Sequence, residues 1–361
     1  MIRSYRLISR CYIIKLMQQT IQNKIKQIVA SAVDNKSIFG VSVVIKQQDE
    51  IVTYHEGNFS DDDRYFIAST TKLFTSGVIY QLCDEGKLSL SDTLSKYFDN
   101  DTLKGLHTKD GADHTAEITI AQLLAHTSGM PDYFLQKRDG TTLYDEVIKG
   151  GDTSWNLEVV LARIKSMPAK FVPGKKGKAY YSDTNYQLLG AIIESIENEP
   201  VSTVFTKRIF QPLGMVDTYM YEGEDDSRLK EMYYKSSELR IPRAMQSFGA
   251  DGAAVSTSRD MAVFVEAYFE GKLFAIHHIS EAAVYNRIFF PLEYGVGFMR
   301  LKLPRIMSPL RALPELVGHS GHSGAFAFYD RNRHIAICGT VNQIDNPSLS
   351  FKLLIKINNA L

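Results

Sequence analysis

The sequence predicts an α/β fold in which one sheet, flanked by helices, is assembled from both ends of the chain and a mainly helical region is inserted between them. Three observations carry this expectation. Runs rich in β-branched residues stand near the start, at residues 41–54, and return near the end, at residues 324–341. Stretches with helical periodicity accompany both sets. Between them, from about residue 96 to 240, the pattern changes to short helical pieces and long polar loops, including Gly223-Glu224-Asp225-Asp226. A length of 361 residues suits this division, since a domain usually takes about 150. The expected boundaries are an α/β part at 18–95 and 241–361, an inserted helical part at 96–240 and an N-terminal extension at 1–17.

The first element is a helix carrying Ile21, Ile25, Ile28, Val29, Ala32 and Val33 on one stripe, with Gly40 breaking the period. Val41-Ser42-Val43-Val44-Ile45 and Ile51-Val52-Thr53-Tyr54, separated by Gln47-Gln48-Asp49-Glu50, read as a hairpin. A helix through Leu73, Phe74, Val78, Ile79 and Leu82 follows, ended by Gly86. Its apolar residues surround much of the circumference, which predicts a buried helix. In the inserted region Leu188, Leu189, Ile192, Ile193 and Ile196 form a strong helix stopped by Pro200. Strands return at Gly324-Ala325-Phe326-Ala327-Phe328-Tyr329 and at His334-Ile335-Ala336-Ile337-Cys338-Gly339-Thr340-Val341, and a last helix runs from Leu349 to Ile357.

The 41 basic and 41 acidic residues leave no net charge, so the basic surplus that nucleic-acid binding requires is missing. Cys11, Cys83 and Cys338 lack Cys-x-x-Cys spacing and read as free thiols. Residues 1–17 are basic, but Arg10 and Lys15 interrupt the apolar part and no small-residue cleavage site follows, which makes a poor export signal and favours a cytoplasmic protein. Met17 is a possible second start. An organelle leader remains open, because the segment lacks acidic residues. No later stretch approaches the ~20 apolar residues of a membrane span.

Ser69 and Lys72, in Phe66-Ile67-Ala68-Ser69-Thr70-Thr71-Lys72, carry the most chemical information. On a helix, positions i and i+3 share a face, so the amine can stand beside the hydroxyl. A serine hydroxyl is a weak nucleophile and needs such a neighbour. Alone the pattern is short and common. A lysine at the start of a buried helix, however, cannot reach water and needs a polar pocket.

Five further motifs follow in order: Glu85-Gly86-Lys87-Leu88-Ser89-Leu90-Ser91-Asp92, Leu123-Leu124-Ala125-His126-Thr127-Ser128-Gly129-Met130, Tyr181-Ser182-Asp183-Thr184-Asn185-Tyr186-Gln187-Leu188-Leu189-Gly190, Pro212-Leu213-Gly214-Met215 and Gly318-His319-Ser320-Gly321. Together with the first, this series resembles the serine β-lactamase-related family, which includes class C β-lactamases, penicillin-binding D,D-peptidases, D-aminopeptidases and related esterases. The resemblance covers most of the chain. It implies an antiparallel sheet made from both termini, an inserted helical domain, and a serine hydrolase that forms an acyl-enzyme on an ester, amide or peptide carbonyl. It implies no metal or organic cofactor, and a small-molecule or peptide substrate. By the same resemblance Ser69 is the nucleophile, Lys72 its activating amine and Tyr181 a proton relay between Ser69 and the leaving group.

Two departures change the chemistry. Family members often carry Tyr-x-Asn where this chain has Tyr181-Ser182-Asp183; a carboxylate beside Lys72 holds it as an ammonium and leaves Tyr181 as the principal base, its phenolate stabilised by that charge. The interval from Pro173-Gly174 to Tyr181 is also about two residues longer than the family habit. Where Lys-Thr-Gly is common, this chain has His319-Ser320-Gly321. The resemblance places Asp183, His319, Ser320, Gly321 and His322 in the substrate-binding and oxyanion part of the site; Gly321 would let backbone approach the substrate, the amides of Ser69 and His322 are oxyanion candidates, and a neutral His319 removes the cation that pairs with a penicillin or D-Ala carboxylate.

Other readings fit less well. Ser182-Asp183-Thr184 as the Ser-Asp-Asn element of class A β-lactamases disagrees with the surrounding residues. His319 and His322 as metal ligands have no visible third partner. Gly318–Gly324 contains no Gly-x-Ser-x-Gly elbow. His126 reads as scaffold, Asp251-Gly252-Ala253-Ala254-Val255-Ser256-Thr257 as a turn back into the main domain, and Tyr294-Gly295-Val296-Gly297-Phe298 as a strand near the pocket. A non-catalytic scaffold or peptide-binding homologue is the rival function; the joint presence of Ser69, Lys72 and Tyr181 argues against it.

Overall fold

The computed structural model describes residues 18–303 and 314–361; the N-terminal extension, Met17 and Cys11 lie outside them. Among the described residues, eight antiparallel strands form the main sheet. Their order across it is Asn286–Phe289, Leu292–Tyr294, Met299–Leu301, Leu316–Ser320, Ala325–Asp330, Ile335–Thr340, Gly40–Gln47 and Glu50–Gly57. The first hairpin therefore joins the last strand, Val43 opposite Gly339 and Ile45 opposite Ile337, so the two ends of the chain share one sheet.

Side-chain alternation sorts the sheet into two faces. Val41, Val43, Ile45, Phe326, Phe328 and Ile337 pack with Ile25 and Val29 of the helix at 18–30 and with Leu353, Leu354 and Ile357 of the helix Ser348–Ala360. Val44, Ala325, Ala327, Ala336 and Cys338 face the other way, into a larger core shared with the helices Lys72–Asp84 and Ser258–Phe269. Small residues on this face let the helix Ser258–Phe269 lie close to the strands. Cys338 is buried and Cys83 half-buried, both as free thiols.

The helix Lys72–Asp84 is buried nearly all round, as its composition requires, and Gly86 ends it in the left-handed region at φ +67°. The helix Asp183–Glu197 stops earlier than its proline suggests. Asn198 takes the left-handed cap, and Pro200 instead opens the next helix, Val201–Phe205. The segment Tyr294–Phe298 is not one strand: Gly295, Val296 and Gly297 form the turn between Leu292–Tyr294 and Met299–Leu301. Glycines allow that reversal, Gly297 at φ +91°. No helix among the described residues is long and apolar enough to cross a membrane.

Candidate active site

Ser69 lies in a one-turn 3-10 helix, Ala68–Thr71, that runs directly into the helix Lys72–Asp84. The entry is tight, with Ala68 at φ +45°, a conformation that a residue with a Cβ adopts only under constraint. Neighbours supply the constraint. The Ile67 amide donates to the Ala254 carbonyl at 3.0 Å, the Ala254 amide to Thr71 Oγ1 at 3.2 Å, and Ser323 Oγ to the Phe66 carbonyl at 2.6 Å. The turn thus holds Ser69 at the wall of a cavity of about 440 Å³.

Gly321 completes this clamp. A Cβ there would stand 2.2 Å from the Ile67 carbonyl oxygen, so the close approach that demands glycine is to the turn that carries Ser69, whereas the sequence suggested the substrate. Gly321→Ala is expected to cost about 2–4 kcal/mol of stability, as overpacking against backbone does. Denaturant unfolding measures it; an unchanged midpoint would show that the strand and the turn can separate freely.

Lys72 is fully buried, and its ammonium donates to Ser69 Oγ at 3.1 Å, Asp183 Oδ1 at 2.7 Å and the Asp251 carbonyl at 2.7 Å. Three acceptors match the three protons of an ammonium. Asp183 opens the helix Asp183–Glu197, and its own amide donates to Asp132 Oδ1 at 2.8 Å. Asp132 and Asp251 are also buried. Burial, then Asp183, raises the Asp132 carboxyl to about 7. Burial raises Asp251 well above the carboxylate range although Lys72 opposes it, and Asp251 Oδ2 accepts from Tyr133 and Gln187. One cation sits among three carboxyls, and Asp183 is the one in direct contact. Sequence reasoning missed Asp132 and the Asp251 side chain, because neither stands in a chemical motif.

Tyr181 lines the same cavity, and its hydroxyl is buried with no hydrogen-bond partner among the described residues. Its phenol differs from the expected phenolate. Burial, then Asp183, pushes it well above its ordinary range. Lys72 lies 5.2 Å from the ring centroid, but Asp183 counters its charge.

His126 holds Tyr181 in place. The His126 carbonyl accepts from the Tyr180 amide at 2.8 Å, its ring stacks on Tyr181 at 4.4 Å, and its Nδ1 accepts from the Ser182 amide at 3.1 Å. Three consecutive residues thus dock on one histidine. His126 sits at φ +55° and is fully buried; burial, then Lys72, drives its pKa well below 6.5, so the ring is neutral. As Nδ1 accepts, Nε2 carries the proton, and it has no partner among the described residues. The loop before Tyr181 follows the same segment, with the Gly174 amide donating to the Thr127 carbonyl at 2.9 Å. His126 is thus a scaffold for the Tyr180–Ser182 segment.

His319 does not line the cavity. It is fully buried beneath it, Nδ1 donating to the Ser320 carbonyl at 2.8 Å and Nε2 accepting from Tyr294 at 3.0 Å. Both nitrogens are engaged within the protein, so the expected contact of His319 with substrate gives way to a supporting position. Its alternation along the strand Leu316–Ser320 turns Ser320 toward the cavity instead. Burial lowers His319 to about 3, which leaves it neutral as the sequence implied. Gly321, His322 and Ser323 line the cavity with Ser320. Burial lowers the pKa of His322, and its ring meets Tyr144 edge to face at 5.3 Å. Asp183 is in the wall but is spent on Lys72.

Comparisons with known proteins identify the family and the fold. The model of the Beta-lactamase family matches residues 25–354. A protein of Escherichia coli O157:H7 named as a D-alanyl-D-alanine carboxypeptidase is 26% identical over 325 residues, 78% of this chain and 70% of its own. Penicillin-binding protein PbpX of Bacillus subtilis, so named, is 27% identical over 277 residues, 72% of this chain and 62% of its own. Among solved structures, a D-stereospecific amidohydrolase from Streptomyces superposes with a TM-score of 0.77 at 25% identity, covering 91% of this chain and 97% of that one. The hydrolase EstCE1 shares the fold, with a TM-score of 0.79 at 19% identity over 95% of this chain and 98% of its own. The chain belongs to the Beta-lactamase family and is a serine hydrolase acting on ester, amide or peptide carbonyls.

Proposed function

We propose that Ser69 is the acylated nucleophile, that Lys72 and Asp183 together take its proton, and that Tyr181 protonates the leaving group. The observation that carries this reading is the fully buried Lys72 ammonium, 3.1 Å from Ser69 Oγ and 2.7 Å from Asp183 Oδ1. As Ser69 attacks, its proton passes to Lys72 while Lys72 passes one to Asp183. The bond from Oγ to the acyl carbon forms and the bond to the leaving oxygen or nitrogen breaks. Tyr181, a neutral phenol at rest, gives its proton to that atom and recovers one from the Lys72–Asp183 pair. Water then attacks the acyl carbon and gives one proton to the Lys72–Asp183 pair, the bond from Oγ to the acyl carbon breaks, and the pair passes that proton to Oγ. The amides of Ser69 and His322 are the oxyanion donors in this reading.

The test is intact-mass analysis after exposure to a fluorophosphonate. One adduct is expected on the wild-type protein and none on Ser69→Ala; an unlabelled wild type returns the chain to the scaffold reading. The relatives named as carboxypeptidase and penicillin-binding protein favour a second substrate class, D-alanyl peptides. A penicilloyl adduct lasting for hours would support it.

A further inference from the structure

The wall of the Ser69 cavity is apolar on both flanks of the reactive groups. Phe134, Val147 and Ile148 come from the inserted region, Phe248 from the segment that follows it, and Phe289 and Phe290 from the hairpin at the edge of the sheet. The two flanks meet the chemistry at different points. Tyr144 stands against His322, on the proposed oxyanion side, while Phe289 lies 5.8 Å from Tyr181, on the proposed leaving-group side. Phe289 and Phe290 are 51% and 67% exposed, unusual for phenylalanine, and an occupant of the cavity would cover them.

Charge is as informative as shape. No lysine or arginine is among the described residues of the wall. Lys72, directly behind it, already gives its three protons to Ser69, Asp183 and Asp251. His322 has its pKa lowered by burial, and His319 has both nitrogens engaged below the surface. A substrate carboxylate entering here would lose its water and meet no counter-charge. An ammonium fares no better, since Asp183 is occupied by Lys72 and burial favours the protonated form of Asp251.

Resting on the acyl-enzyme reading above, we infer that the substrate is an uncharged ester or amide whose acyl group is a bulky alkyl or aryl unit. A carboxylate-bearing β-lactam or D-alanyl peptide is disfavoured. A cavity of about 440 Å³ has room for such a group. Each methylene moved from water into it is worth about three- to fourfold in kcat/KM.

The experiment uses the full chain with 4-nitrophenyl esters of two-, four-, six- and eight-carbon acids, and six-carbon analogues ending in a carboxylate or an ammonium. The expected result is kcat/KM rising with chain length, and both charged analogues at least about 100-fold below the neutral six-carbon ester. Leu135→Arg, which changes an exposed side chain at the cavity wall, should recover the carboxylate analogue by about tenfold or more. A flat length series, or a charged analogue that matches the neutral one, overturns the inference. Fluorophosphonate labelling separates the two failures: labelled protein with a flat series loses only the substrate class, and unlabelled protein loses the catalytic reading itself.

Discussion

Lys72→Met is expected to lower kcat/KM for a neutral ester by about 10³-fold or more, in the range of a lost acid–base group, and to destabilise the protein by about 3–5 kcal/mol. Both effects have one origin. The side chain is fully buried, and its removal strands Asp183 in a site that already holds Asp132 and Asp251. A buried charge without its partner costs more than the pair contributed. The double variant Lys72→Met/Asp183→Asn separates stability from chemistry. Its unfolding midpoint should return most of the way to wild type while its activity stays low. If the double variant stays as unstable as Lys72→Met, the stranded-carboxylate account is wrong; if Lys72→Met keeps wild-type kcat/KM, the proton relay is.

His126→Ala is expected to reduce kcat by about 100-fold with a smaller change in KM, and to cost about 3 kcal/mol of stability. Alanine removes the ring under Tyr181 and the acceptor for the Ser182 amide, and leaves a residue with a Cβ at φ +55°. His126→Asn separates these losses, because asparagine tolerates the left-handed region and offers a side-chain oxygen. It should recover stability more fully than kcat, the stacked ring being absent in both variants. The pH–rate profile distinguishes positioning from proton transfer. A neutral, buried His126 predicts an acidic limb that does not move in either variant; its disappearance would make His126 a base.

The fold was legible because its signals are local. Val41–Ile45 and Ile335–Thr340 carry strand chemistry wherever they pair, and the apolar girdle of Leu73–Leu82 requires burial whatever surrounds it. Helix ends were less legible. The helix after Tyr181 ends at Glu197 because Asn198 caps it, and Pro200, the stronger signal in the sequence, starts the following helix. Tyr294–Phe298 has strand-like residues at its ends, and only the pairing of Tyr294 with Met299 shows the reversal between them.

For the site, the sequence by itself determined the residues proposed to react: Ser69 and Lys72 three residues apart, Tyr181 with Asp183 two residues on, and a histidine where a lysine is common. Those follow from residue identity and short spacing, which survive without coordinates. Only the tertiary structure decided their states. It brought Asp132 and Asp251 around the single cation, turned His319 beneath the cavity and Ser320 toward it, and set His126 under Tyr181 across 55 residues of chain. A proton's position depends on desolvation and on charges a few ångströms away, and those distances are fixed by packing between segments far apart in sequence.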